Sequence, residues 1–89
     1  MLNLQNRKWL IMGEDFYRLS TVTGKKYNVF NMVKILNIYQ CIFYMENQIF
    51  PDDIKVTRND KGDKCLVFYY DKDKTKELYK QWLEMRKRG

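Results

Sequence analysis

Apolar and polar residues alternate along residues 54–58, with Ile54 and Val56 on the same side of an extended chain. The alternation predicts a strand with one buried face and one wet face. The next apolar run, residues 65–70, is hydrophobic on both sides, which suits a central strand paired along both edges. Residues 59–63 between them predict a longer hairpin loop, since Asn and Asp tolerate turn dihedrals and glycine takes a positive φ.

A helical period replaces the alternation after the second strand. Asp71 or Asp73 is the predicted N-cap, because a carboxylate there accepts backbone N–H groups and faces the positive end of the helix dipole. Apolar residues then recur at intervals of three and four. Burial of three of them should stabilise the domain by about 1.5–3 kcal/mol each. These three are Leu78, Trp82 and Met85.

The first half of the chain predicts a second hairpin followed by a helix. Residues 16–22 and 27–30 are strand-like, being rich in aromatic and β-branched side chains, and a turn at 23–26 separates them. Asn31 is a plausible N-cap, since its side chain can accept a backbone N–H group, and it predicts a helix over residues 32–47.

The predicted helix 32–47 has a wide apolar side and ends before Pro51, because residues before proline avoid the α region. An apolar side this wide indicates either that this helix is the most buried one or that it forms a surface shared with a second copy of the chain. A homodimer through residues 31–47 is therefore one hypothesis. The apolar side holds Met32, Ile35, Leu36, Tyr39, Ile42 and Phe43, and a more polar stripe holds Lys34, Asn37, Cys41, Tyr44 and Gln48.

The elements follow in the order β-β-α-β-β-α. This order predicts an α+β fold, with an antiparallel sheet of three to four strands packed on one face by two helices. Residues 1–89 are expected to form a single domain. Its core is the βαββα unit of residues 27–85, and residues 1–26 add an N-terminal extension and hairpin strand.

Residues 27–82 resemble a small family of uncharacterised βαββα proteins from Gram-positive bacteria and their phages. The resemblance implies the fold and supplies no activity, since its motifs fall mostly on core positions. It leaves residues 1–26 outside. The motifs are Tyr-Gln-Cys-Ile-Phe-Tyr-Met at 39–45, Ile-Lys-Val at 54–56, Leu-Val-Phe-Tyr-Tyr at 66–70 and Lys-Glu-Leu-Tyr-Lys-Gln-Trp at 76–82.

The composition points to the source of the chain and to its class of chemistry. Alanine is absent while lysine, asparagine, isoleucine and tyrosine abound, which indicates an AT-rich genome such as that of a low-GC bacterium, its phage or a mobile element. The absence of histidine excludes Ser-His-Asp and Cys-His catalysis. Cys41 and Cys65 are predicted to be buried thiols rather than a disulfide, and two separated cysteines make no zinc site.

No catalytic, cofactor or metal site is therefore predicted, and the protein is expected not to be an enzyme. Asp52 and Asp53 are interpreted as a solvated turn after Pro51 rather than a carboxylate pair. The chain has neither an apolar run long enough to cross a membrane nor a signal-peptide core, so a cytoplasmic location without a membrane partner is expected.

A net charge of +6 on 89 residues should raise encounter rates with acidic partners. The first hypothesis is a binding protein of a phage or mobile element that occludes a host protein or nucleoprotein, in the manner of an anti-CRISPR inhibitor. The alternative is a basic nucleic-acid-binding regulator, although the aromatic strand 66–70 is better explained as core. The candidate partner-binding residues are Tyr17, Arg18, Lys25, Lys26, Lys55, Arg58, Lys64 and Tyr69.

Overall fold

The computed structural model describes residues 16–88. The expectations for residues 1–15 lie outside the described residues. The elements in chain order are strand β1 (Tyr17–Leu19), strand β2 (Lys26–Asn28), a 3-10 turn (Val29–Asn31), strand β3 (Met32–Ile35), helix α1 (Ile38–Glu46), strand β4 (Asp53–Arg58), strand β5 (Lys64–Asp71) and helix α2 (Lys72–Arg88).

The strands form two antiparallel sheets, which confirms the predicted α+β class. β1 and β2 make a two-stranded sheet, and the central sheet has the order β3-β5-β4. β5 is bonded on both edges, as its two-sided apolar pattern predicts. The predicted hairpin 16–30 is present with shorter strands, and residues 29–31 turn instead of continuing β2.

The prediction that a helix starts at residue 32 is wrong. Met32–Ile35 forms strand β3, paired with β5 in the register Val33↔Tyr70 and Ile35↔Phe68. The helix starts at Ile38, where the side chain of Asn37 accepts the backbone N–H groups of the next turn. Tertiary pairing with β5 therefore decides the conformation of a segment whose apolar pattern fits either element.

The side of helix α1 that faces the core also differs from the prediction. Cys41 and Tyr44, expected on the polar stripe, are buried, while Tyr39 is 72% exposed. The Tyr44 ring packs edge-on against Tyr70 of β5, with 5.0 Å between ring centroids. The helix ends at Glu46, ahead of Pro51, because Gln48 takes the left-handed conformation with φ 66°.

The predicted caps and turns of the second half are confirmed. Oδ1 of Asp71 accepts the N–H groups of the first turn of α2 at 2.8 and 3.2 Å. Gly62 has φ 86° in the hairpin loop, and the Asn59 side chain accepts two loop N–H groups. Trp82 is buried as expected, but Met85 remains 47% exposed near the end of the helix.

The two faces of the central sheet have different neighbours. On one face Ile35, Phe68 and Tyr70 pack with Cys41 and Tyr44 of α1 in the main core. Val56, expected on the buried side of β4, is 68% exposed because the helices do not extend over its end of the hairpin. Cys41 and Cys65 are free thiols; Cys41 is buried as predicted, whereas Cys65 is only half-buried.

The opposite face of the sheet carries the alternate residues of β5, among them Val67 and Tyr69. The β1-β2 hairpin lies against one end of this face, where 6.0 Å separates the ring centroids of Tyr27 and Tyr69. The rest of this face presents the groups that form the candidate site.

Candidate functional site: a basic and aromatic sheet face

A shallow pocket of about 250 Å³ lies on the central sheet, away from the α1 core. We call it the basic–aromatic pocket. Three cationic residues and one aromatic residue line it, and no acidic residue among the described residues 16–88 does so. Its lining residues are Lys34, Leu36, Lys55, Val56, Thr57, Arg58, Val67 and Tyr69.

Strand register places the aromatic ring between two ammonium groups. Lys34 of β3 is paired directly with Tyr69, and Lys55 of β4 is paired with Val67, two residues along β5. Lys34 Nζ lies 5.8 Å and Lys55 Nζ lies 5.7 Å from the centroid of the Tyr69 ring. Both distances are within the range of a cation–π interaction, so the ring helps to hold the two charges near each other.

The buried carboxylate of Asp53 lies at the end of the pocket that is nearest to the β1-β2 hairpin. Asp53 is the first residue of β4 and is fully buried. The Tyr27 hydroxyl donates to its Oδ2 at 2.7 Å, and the Ser20 hydroxyl donates to its Oδ1 at 3.4 Å. The backbone N–H of Ile54 donates to the same Oδ1 at 3.0 Å. These bonds tie the hairpin to the central sheet.

The structure therefore corrects the prediction that Asp53 belongs to a solvated turn. Burial raises the pKa of the Tyr27 hydroxyl, and its hydrogen bond to the Asp53 carboxylate raises it further. The hydroxyl stays protonated and remains a donor at neutral pH. The oxygens of the Asp53 carboxylate are therefore engaged in hydrogen bonds below the surface of the pocket.

The lysines of the pocket are not neutralised within residues 16–88. Lys34 and Lys55 form no ion pair with any described residue, whereas Lys80 and Lys87 pair with glutamates along helix α2. The guanidinium of Arg58 donates to the carbonyl oxygen of Gly62 at 2.7 Å, which fixes it at the turn end of the hairpin. The pocket thus presents positive charge on a rigid strand framework.

Three of the predicted site residues, Lys55, Arg58 and Tyr69, come together in this pocket. Arg18 is paired with Tyr27 across the β1-β2 hairpin, so it lies on the side of the hairpin that carries the contact to Asp53. Lys64 starts β5 and is paired with Arg58.

The other three predicted residues lie on the hairpin but away from its contact side. Tyr17 and Lys26 alternate with Arg18 and Tyr27, so they project from the opposite side of the two strands. Lys25 lies in the turn, where its carbonyl oxygen accepts the N–H of Ser20. The structure does not bring these residues into the basic–aromatic pocket.

Sequence reasoning missed Lys34, Tyr27 and Asp53 as parts of the site. The helical pattern puts Lys34 on the polar stripe of a helix, although its β-branched neighbour Val33 is a signal for a strand. Tyr27 and Asp53 are 26 residues apart, and nothing local in the sequence indicates their bond. Phe68 and Tyr70, whose exposure the sequence leaves open, are buried, and Tyr69 is half-buried.

The described residues carry little reactive chemistry. Within residues 16–88 no cluster of three histidine, cysteine or acidic side chains is placed to hold a metal. Burial raises the pKa of the Cys41 thiol to about 11, so this group is a protonated core residue and not a nucleophile at neutral pH. None of the helices described is both long enough and apolar enough to cross a membrane.

Comparisons with known protein families, with curated proteins and with solved structures found no match to this chain. The resemblance of residues 27–82 to the βαββα family therefore stays a prediction. The evidence for function lies in the site itself.

Proposed function

We propose that this protein is a small non-enzymatic binding protein that covers an acidic surface of a partner protein or nucleoprotein. The observation that carries the proposal is the basic–aromatic pocket, in which Lys34 and Lys55 flank Tyr69, Arg58 lines the turn end, and no acidic residue of the range 16–88 takes part. Such a pocket attracts a negatively charged group and offers it several donors at once.

The apolar rim of the pocket favours a protein as the partner. Leu36 lines it and is exposed, which adds apolar area next to the charges. Tyrosine and arginine are enriched among the residues that dominate binding energy at protein interfaces. Because these side chains stand on paired strands, ordering them on binding costs less entropy than ordering a loop.

The biological form that we favour is an inhibitor carried by a phage or mobile element, which acts by occluding a host machine as an anti-CRISPR protein does. The support for this form is the composition typical of an AT-rich genome, the small size and the positive charge. A host nucleoprotein is a suitable target because its acidic surfaces would meet the pocket directly.

The basic–aromatic pocket also supports a second candidate function, direct binding of single-stranded nucleic acid. Proteins of that kind combine a positive groove with an aromatic side chain on which bases stack. Affinity would then fall steeply with salt concentration, because phosphate contacts release counterions.

A capture experiment separates the two candidates. The tagged full-length protein is incubated with lysate of the presumed host, with and without nuclease, beside the double variant K34E/K55E. The control is K61E/K74E, which makes the same charge change at two exposed positions outside the pocket.

A protein partner retained after nuclease by the parent and by K61E/K74E, and lost by K34E/K55E, is the expected result. Loss of all partners after nuclease would favour the nucleic-acid candidate. A partner held equally by K34E/K55E would contradict the role of the pocket.

A further inference from the structure

Strand β3 lies at one edge of the central sheet, and its outer edge is bonded to no strand among residues 16–88. The carbonyl of Tyr69 accepts the N–H of Asp52, so Tyr69 directs its backbone groups toward β4. Because neighbouring residues alternate, Phe68 and Tyr70 direct theirs toward Ile35 and Val33 of β3.

This alternation leaves the backbone of Lys34 directed outward. Its N–H and C=O point away from β5 at the free edge, whereas the N–H of Met32 is already bonded to the carbonyl of Val29. Lys34 therefore offers one donor and one acceptor, which is the pair that an added antiparallel strand uses at each bonded residue.

A groove of about 580 Å³ runs beside this edge, between β3 and helix α2. Its apolar part includes Val33 and Ile35 of β3 and Tyr79 of α2. Lysines of α2 line the other side, and within the part of the chain that the structure describes no acidic residue lines the groove. These lysines are Lys72, Lys76 and Lys80.

The edge strand thus separates two basic surfaces. Lys34 and Leu36 line both the groove and the basic–aromatic pocket on the other face of the sheet. A strand laid along β3 would direct alternate side chains to the two faces, because the period of a strand is two residues. One set would enter the apolar groove, and the other set would lie beside the Lys34 side chain.

We infer that the β3 edge accepts an extended acidic segment of a partner protein as a fourth strand of the central sheet. This inference rests on the proposed function and names the chemistry of the partner. The segment alternates apolar residues, which enter the groove, with acidic residues, which face Lys34 and the pocket. Main-chain bonds to the edge supply affinity, and the alternating side chains supply specificity.

Charge distinguishes this occupant from a second copy of the chain. A lysine in the middle of an edge strand opposes pairing with another such edge, since like charges directly opposite each other are destabilising. The same lysine, with Lys55 on its face of the sheet, attracts a strand that carries carboxylates. The edge is therefore selective for an acidic strand.

The test uses the full-length protein and an amidated heptapeptide of alternating glutamate and leucine that carries fluorescein on its N-terminus. Two further peptides carry N-methyl groups on the leucines only or on the central glutamates only. When a peptide adds antiparallel to β3, the peptide residue opposite Lys34 directs its side chain to the same face as Lys34 and exchanges main-chain hydrogen bonds with it. A glutamate takes this position, so the glutamates supply the bonded N–H groups. Binding is followed by fluorescence anisotropy, and the Lys34 amide by hydrogen exchange.

We expect the parent peptide and the N-methyl-leucine peptide to bind and to slow exchange of the Lys34 amide. The N-methyl-glutamate peptide should bind about tenfold more weakly or worse, because it loses main-chain bonds. K34E/K55E should weaken the parent peptide by a similar factor, because the glutamates face these two lysines, while K61E/K74E should not. No binding by the parent peptide, or equal binding by all three peptides, would overturn strand addition.

Two other occupants of the edge would also overturn the inference. Slow exchange of the Lys34 amide in the free protein at every concentration would show that residues 1–15 cover the edge. Slow exchange that increases with protein concentration would show that a second copy covers it. If strand addition fails while K34E/K55E still loses the captured partner, the proposed function stands without this inference.

Discussion

At the scale of single residues, the contact between Tyr27 and Asp53 controls how the hairpin lies on the central sheet. A buried carboxylate is stable only when hydrogen bonds replace the water that it has lost. Here three donors do so, and two of them, Tyr27 and Ser20, come from the hairpin region. The pair therefore links β1-β2 to the strands that carry the pocket.

Tyr27→Phe should lower the free energy of unfolding by about 1.5–3 kcal/mol, since it removes a hydrogen bond to a buried charge. Urea denaturation followed by circular dichroism measures the change. Tyr39→Phe is the matched control, because Tyr39 is exposed on α1. Equal stability of the two variants would show that the Tyr27–Asp53 bond contributes little.

Two buried tyrosines, Tyr27 and Tyr70, also make the free energy of unfolding depend on pH in the alkaline range. Burial raises the pKa of Tyr27 and Tyr70 above the usual value of 10. Above pH 10 the unfolded chain releases these protons while the folded chain keeps them, so stability is full below pH 10 and falls as the pH rises beyond it. Absorbance at 295 nm should show both tyrosines ionising together with unfolding. Their ionisation in a still-folded protein would contradict this expectation.

At the scale of elements, local chemistry made the second half of the chain predictable. The loop glycine, the Asp71 cap and the two-sided apolar run of β5 each act within a few residues. Strand β3 could not be predicted in this way, because Met32–Ile35 suits a helix or a strand until β5 pairs with it. The site could be predicted only in part for the same reason, because Lys34 lies beside Tyr69 only when β3 pairs with β5.

The N-terminal end of helix α1 shows directly whether β3 precedes it. Asn37→Ala should cost about 0.5–2 kcal/mol, because the side chain accepts two N–H groups of the first helical turn. Amide hydrogen exchange should increase at residues 38–41, with residues 32–35 unchanged. If Asn37→Ala had no effect and Asn31→Ala loosened the helix, the helix would start near residue 32, as the apolar pattern indicates.

At the scale of the whole molecule, positive charge lies on both sides of the β3 edge while apolar groups on α1 remain exposed. Tyr39 and Ile42 are exposed on the outer side of that helix. A homodimer through residues 31–47 therefore remains a separate proposal. The proposed partner binds the sheet instead, where Thr57 lines the basic–aromatic pocket on the same face as Lys55.

A photo-crosslinking measurement tests this placement of the partner most directly. A benzophenone amino acid is introduced at Thr57 in one variant and at Tyr39 in another, and each full-length protein is irradiated in lysate of the presumed host. We expect a specific protein adduct from position 57, which disappears when the substitutions K34E/K55E are introduced into the same protein, and none from position 39. A specific adduct from position 39 alone would contradict the central claim that the sheet face is the binding site.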